Sequence, residues 1–261
     1  MKNILKSIFV IFVLSSLCAF NVFSSEETKK LLSTDWSFKG FTGKFDRASL
    51  QRGYQVYTEV CASCHSMKLL SYRNLAEEGG PEFSEDQVKA IASNFEVTDG
   101  PNEDGDMFER PAKLSDKFVQ PYRNVKEATA SNGGAYPPDM SVLVKARSGG
   151  ADYIYSVLLG YEDPPSGVTL DDGVYYNKYM YGNNIKMPKP LMDGQVEYND
   201  GTEATEQQMA KDVVTFLAWS AEPHLEARHK IGFRAIIYLI IITILVYFSM
   251  KKIWSRVESE V

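Results

Sequence analysis

Residues 61 to 65 read Cys-Ala-Ser-Cys-His. Two thiols three residues apart, followed at once by an imidazole, can serve a metal ion, disulfide exchange or a covalent haem. A structural zinc takes four ligands, and the other histidines, His224 and His229, stand far along the chain beside an apolar segment. A disulfide oxidoreductase sets its Cys-x-x-Cys beside a βαβ unit, which this helical, loop-rich sequence does not offer. Covalent haem suits the spacing for a mechanical reason. Thiols from Cys61 and Cys64 add to the two vinyl groups, and His65 then lands beneath the iron as the proximal ligand.

A sixth iron ligand is expected downstream. With the remaining histidines next to the apolar segment, a thioether is the better choice, and His/Met ligation raises the reduction potential to suit electron transfer. Met67 is too close to His65 to reach the opposite face, Met209 sits in an amphipathic helix and Met250 in the apolar run. Met107, Met140, Met180, Met187 and Met192 remain. Met187, in NNIKMPKPL, is favoured because Pro188 and Pro190 stiffen the loop that must hold a flexible side chain. On pattern alone the other four stay open, with core packing the alternative for each.

The elements that must carry these groups are mostly helical. Leu50, Tyr54, Tyr57 and Val60 recur at four, three and three residues, so CASCH closes a helix that begins near Arg47. Residues 66–78 read as a second helix, and Ser84 caps a third over FSEDQVKAIASNF. Residues 98–114 read as a long loop; Glu96 to Glu109 hold six acids and no base. Between Val119 and Tyr161 the pattern gives two helical pieces, the second from Asp139 to Ala146, then a helix from Ala151 to Leu159. Residues 160–201 are turn and loop, and Thr205 caps a helix that runs through Trp219. Trp36, Phe38, Phe41 and Phe45 are expected as packing anchors of an irregular lead-in. No internal repeat is visible.

Both ends are directed to a membrane. Lys2 and Lys6 precede an interrupted apolar run from Ile8 to Phe23 and a small-residue zone at Ser24 and Ser25, so residues 1–25 are expected to be a cleaved signal peptide that takes Cys18 with it. Ala235 to Met250 contains no charge, and Gly232, Phe233 and a snorkelling Arg234 extend it toward the roughly 20 residues that span a bilayer. The expected plan is therefore an exported domain over 26–227, a transmembrane helix with its flanks over 228–252 and a cytoplasmic tail over 253–261. Basic residues flank both ends of the span, so its orientation rests on the leader. Residues 26–226 hold 20 basic and 32 acidic side chains, a net charge of −12. Such a domain is a poor nucleic-acid binder and is suited to steering a basic protein.

Taken in order, RGYQVYTEVCASCHSM, DGPNEDGDMFERPAKLSD, YPPDMSVLVKARSGGADYIYSVLLGYEDPPSG, NNIKMPKPL and AKDVVTFLAWSAEP, followed by one C-terminal helix, resemble the cytochrome c1 family, the haem subunits of the cytochrome bc1 complex. The similarity covers most of residues 36–261. It implies a mainly α fold with long loops, a c-type cytochrome domain plus one C-terminal transmembrane helix. It implies one covalent haem c on Cys61 and Cys64, with His65 proximal and Met187 distal. It further implies that Arg147 pairs with a haem propionate and that Pro137, Pro138 and Tyr153 line the pocket.

The resemblance also implies partners: cytochrome b against the C-terminal helix, a Rieske iron–sulfur protein as electron donor and a soluble or tethered basic cytochrome c as acceptor, within a dimeric complex embedded in membrane lipid. No bond-making chemistry is assigned to the chain by itself. The leader is of ordinary bacterial type, without an Arg-rich transit peptide, so the bacterial inner membrane is expected, with the haem domain on the periplasmic side. The alternative is a free-standing tethered cytochrome that feeds a terminal oxidase directly.

Overall fold

The structure, a computed structural model, describes residues 29–258. The expected signal peptide lies outside the described residues.

Helix α1, which leads into CASCH, spans Arg47–Val56 and starts where Asp46 accepts hydrogen bonds from the amides of Ala48 and Ser49. That cap satisfies two of the amides a helix start leaves orphaned. Leu50, Gly53, Tyr54 and Val56 are buried. The helix then widens into a π-helical turn, Tyr57–Cys61, in which the Ala62 amide donates to the Tyr57 carbonyl at 2.8 Å. Such widened turns are rare and concentrate at functional sites. Helix α2, Glu85–Ser93, opens with the reciprocal Ser84–Gln87 capping box. Helix α3 is Val125–Ser131, and α4 is Gly150–Leu159. Thr205 caps α5, Glu206–Ala221, by accepting from the Gln208 amide.

Helices α1 and α5 cross at Gly53. A Cβ there would stand 2.1 Å from the Asp212 carbonyl oxygen and 2.8 Å from Phe216 Cβ, so only glycine permits the approach. Around the crossing, Tyr54 and Tyr57 pack on Phe216, with ring centroids 5.7 and 5.9 Å apart. Gly53→Ala is expected to cost about 1–3 kcal/mol, since the obstacle is backbone rather than a flexible side chain. A thermal melt should show a fall of about 2–4 °C per kcal/mol for a domain of this size.

Two expected helices are absent. Residues 66–78 contain only a 3-10 turn, Tyr72–Ala76, because long-range partners take the amide hydrogens a helix would need. The Lys68 amide donates to Asp139, the Leu69 amide to Ser141 Oγ, and the Tyr72 and Arg73 amides to the carbonyls of Asp116 and Leu114. Residues 141–146 form overlapping turns instead of a helix from Asp139. There the Met140 amide goes to the Ser66 carbonyl and the Ser141 amide to the Asp139 carboxylate.

The acidic segment read as loop contains a hairpin. Strand β1, Glu96–Asp99, pairs antiparallel with β2, Phe108–Pro111, in the register Val97↔Arg110. Arg110 fastens it, binding Asp99 and Asp116, the latter at 2.6 Å. A smaller pair, β3 Tyr175–Tyr176 and β4 Asn184–Ile185, lies in the second expected loop.

Trp36, Phe38 and Phe45 are buried as expected, with Trp36 and Phe38 5.5 Å apart. Phe41 is not: it is 64% exposed, and its ring meets Phe233 of the last helix edge-on at 6.4 Å. That helix, α6, runs Leu225–Glu258, so it continues through the first residues of the expected tail. Its 34 residues extend about 51 Å at 1.5 Å each, against a hydrocarbon core of about 30 Å. Leu225–Arg256 has a most apolar stretch of mean hydropathy 2.4 with none of it buried, long and apolar enough to cross a membrane. Its root is tied to the domain. Glu226 accepts from Arg47 at 2.7 and 3.0 Å and from the Phe45 amide at 3.0 Å.

Candidate functional site

CASCH leaves the π-helical turn and folds into a tight bend, with the Cys64 and His65 amides both donating to the Cys61 carbonyl at 3.1 and 2.9 Å. Cys61 and Cys64 are free thiols, partly buried. Burial pushes the Cys61 thiol up to about 12, with the neighbouring Cys64 adding to it. Disulfide exchange needs the opposite, a thiol that ionises easily. Among the described residues no three His, Cys, Asp or Glu side chains converge as metal ligands, so the motif's own three groups do not form a chelate.

His65 is 9% exposed, and its Nδ1 lies 2.9 Å from the Pro138 carbonyl oxygen. A carbonyl can only accept, so Nδ1 carries the hydrogen and Nε2 keeps its lone pair. A metal-ligating histidine is set up in this way: the acceptor behind the ring fixes its tautomer and orientation and makes the free nitrogen more basic. Burial holds the imidazole below its ordinary pKa, against the opposing pull of Pro138 and Asp139, which keeps it neutral. Tyr57 Oη, on the preceding turn, donates to the His65 carbonyl at 3.3 Å.

The acceptor itself is held rigidly. Each proline disfavours the α region for the residue before it, so Tyr136 and Pro137 stay extended and Pro138 presents its carbonyl from a stiff segment. Asp139 then staples that segment to the residues after His65. Its carboxylate accepts from Ser66 Oγ and the Lys68 amide at 2.9 Å each and from the Ser141 amide at 2.9 Å. Burial works against this carboxylate, but those hydrogen bonds hold it below the usual range. Beside Cys64 opens a cleft of about 200 Å³, lined among others by Ser66, Pro121, Tyr122, Ala128, Tyr136 and Pro137.

The residues present fit a covalent haem: two unpaired thiols, that of Cys64 at the edge of a cleft, and an imidazole whose Nε2 has no partner among the described residues. Of the expected pocket residues, Pro137 lines the cleft and Pro138 serves through its carbonyl rather than its ring. Tyr153 is half-buried, and its hydroxyl approaches Met180 Sδ at 3.4 Å. Arg147 is exposed and donates to the Ala146 carbonyl at 3.1 Å, with no carboxylate partner among the described residues.

The five methionines separate by environment. Met107 and Met192 are each 60% exposed. Met140 is buried in the core, its amide spent on Ser66. Met180 receives the Tyr153 hydroxyl on its sulfur. Met187 is partly buried against the core, its main-chain carbonyl accepts from Tyr161 Oη at 3.0 Å, and no hydrogen bond among the described residues engages its thioether. No hydrogen bond among the described residues joins Met187, Arg147 or Tyr153 to CASCH.

The sequence reading missed Asp139, Tyr57 and Tyr161. Asp139 carried a local signal, since an Asp two residues before a Ser is a common side-chain-capped turn. Nothing local marks Tyr57 or Tyr161.

A family model described as the Cytochrome C1 family matches residues 36–257. The chain is similar to a cytochrome c1 of Rhodospirillum rubrum, 43% identical over 251 residues that cover 90% of this chain and 91% of that protein. It is similar to a mitochondrial cytochrome c1-2 heme protein of Solanum tuberosum, 50% identical over 87% of this chain and 86% of that protein. It is also similar to a cytochrome b/c1 of Bradyrhizobium diazoefficiens, 51% identical over 89% of this chain; the match spans only 36% of that longer protein. A bracketed imidazole and two free thiols thus sit inside a match that runs nearly from end to end: the chain belongs to the cytochrome c1 family, whose members carry covalently bound haem c.

Proposed function

We propose that the chain is the haem subunit of a respiratory bc1 complex and passes single electrons from a Rieske iron–sulfur protein to a soluble or tethered basic cytochrome c. The observation that carries the reading is the His65 Nδ1 to Pro138 carbonyl hydrogen bond, which leaves Nε2 prepared as an iron ligand. When bound, the haem supplies a one-electron iron couple.

The chain's own residues do the rest. Cys61 and Cys64 would hold the group through their thiols and His65 through Nε2. Met187, its main-chain carbonyl held by Tyr161, would hold it through its sulfur. Arg147, with no carboxylate partner among the described residues, would offset a propionate charge. Pro137 and Tyr153 would line the pocket and exclude water, with Pro138 orienting His65 through its carbonyl. No proton or bond is moved by any of them, so the requirement is rigidity: electron transfer is favoured when the same ligands serve both oxidation states.

Helix α6 spans a bacterial inner membrane, packs on cytochrome b and holds the domain on the periplasmic side, within a dimeric complex. The domain's charge of −12 over residues 26–226 draws the basic acceptor by long-range attraction that salt screens. Purification of the full chain in mild detergent tests this reading. Cytochrome b and a Rieske protein are expected to accompany it in fixed proportion. A chain that purifies alone and delivers electrons straight to a terminal oxidase overturns it.

A further inference from the structure

We propose that Tyr161 is a positioning residue for the axial thioether, its hydroxyl holding the Met187 main chain so that the sulfur keeps one place. The inference rests on the reading of Met187 as the sixth ligand.

The loop that carries Met187 is docked onto the C-terminal end of helix α4 by one buried side chain. Asn177 is fully buried; its amide nitrogen donates to the Val157 carbonyl at 2.7 Å, and its Oδ1 accepts from the amides of Tyr179 and Met180 at 3.1 and 3.2 Å. Its own amide donates to the Asn183 carbonyl at 3.0 Å, and the Lys178 amide to the Gly160 carbonyl at 2.8 Å. Asn177 also bridges Tyr161. The packing at Gly160 leaves no room for a side chain, since a Cβ would stand 2.6 Å from Tyr179 Cδ2. Helix end and loop therefore behave as one body up to Asn183.

Pairing of β4 with β3 carries that body on to Ile185, and beyond it the contacts among the described residues are fewer. Lys186 Nζ reaches the Gly133 carbonyl at 2.8 Å from an exposed position, and Pro188 has no amide hydrogen to anchor the chain. The contact that fixes Met187 itself is Tyr161 Oη to its carbonyl, 3.0 Å, across 26 residues. Methionine is the most flexible apolar side chain, so without a fixed backbone its sulfur samples many positions.

The test uses the intact complex and carbon monoxide as a probe of the ferrous iron's sixth position. The wild type should bind the probe weakly and Met187→Ala freely. Tyr161→Phe should bind it about fivefold more tightly than the wild type, the worth of one ordinary hydrogen bond, and should weaken the visible band of the sulfur–ferric iron bond. Tyr181→Phe, an exposed hydroxyl on the same loop, should match the wild type. If Met187→Ala binds freely while Tyr161→Phe equals the wild type in affinity and spectrum, the positioning role is overturned and the ligand stands. If Met187→Ala also equals the wild type, the ligand reading fails and the positioning role falls with it.

Discussion

Met187→Ala should lower the reduction potential by on the order of 0.2 V, a fraction of the roughly 0.8 V range that axial ligands command. Thioether ligation beside an imidazole raises the potential, and alanine offers the iron nothing in its place. At about 59 mV per decade for a one-electron couple, the change is worth roughly three powers of ten in equilibrium constant. A carrier so altered still accepts no bond-making role, but it holds its electron less willingly than its donor, and turnover of the complex should fall steeply. A potentiometric titration of the variant, followed by absorbance, measures this. An unchanged potential and spectrum would move the sixth ligand elsewhere. Of the remaining methionines Met180 has the side chain best placed in the same loop, though it must first release the Tyr153 hydroxyl.

Removing the carboxylate of Asp212 should be the most damaging change away from the haem. Its side chain is 1% exposed and accepts from Ser49 Oγ at 2.6 Å, Arg52 Nε at 2.8 Å, Arg52 Nη2 at 3.1 Å and Gln208 Nε2 at 2.9 Å. Arg52, 15% exposed, also binds Asp200 at 2.7 Å and lies over the Tyr198 ring at 5.7 Å. Burial opposes the Arg52 charge, but its hydrogen bonds to Asp212 and Asp200 raise its pKa, and a guanidinium stays charged even when one acceptor is lost. Asp212→Ala then leaves Arg52 with Asp200 alone and strands the donors Ser49 Oγ and Gln208 Nε2 between α1 and α5, at a cost of about 3–5 kcal/mol. For a domain of this size that is a fall on the order of 10 °C in Tm. Replacing both partners, Arg52→Met with Asp212→Leu, should recover most of the loss, because the cost lies in a buried charge left half-paired rather than in the missing bond. Equal destabilisation by the single and double changes would contradict this account. The pair matters to the site because it ties α1 to α5, and the π-helical turn that continues α1 ends on Cys61.

Where local signals decide structure, the sequence was readable. Ser84 and Thr205 mark the starts of α2 and α5, and the spacing of Leu50, Tyr54 and Tyr57 marks the buried face of α1. Where long-range partners take the backbone amides, it was not. Residues 66–78 and 139–146 carry helical spacing, but each spends its amides on the other through Asp139, Ser141 and the Ser66 carbonyl. The acidic hairpin was missed for a different reason: its strands are exposed or half-exposed throughout, so they carry no alternation between a buried and a solvated face.

The site divides in the same way. Cys61, Cys64 and His65 are contiguous, and Met187 sits among prolines, so each can be read locally. The acceptor that orients His65 lies 73 residues away at Pro138, and the hydroxyl that pins Met187 lies 26 residues before it. Contacts of that kind are set by the fold alone. Their residue types, a proline carbonyl and one tyrosine among 15, give no sign of the role.

The electron relay is tested most directly by rapid mixing of membranes containing the full chain with a reduced quinol, followed by absorbance of the haem attached at Cys61 and Cys64. The haem should take up one electron within turnover and lose it when a basic soluble cytochrome c is added, with the second step slowed by salt. A haem that stays oxidised in the presence of quinol, or one that is reduced but not reoxidised by the basic acceptor at low salt, would contradict the account.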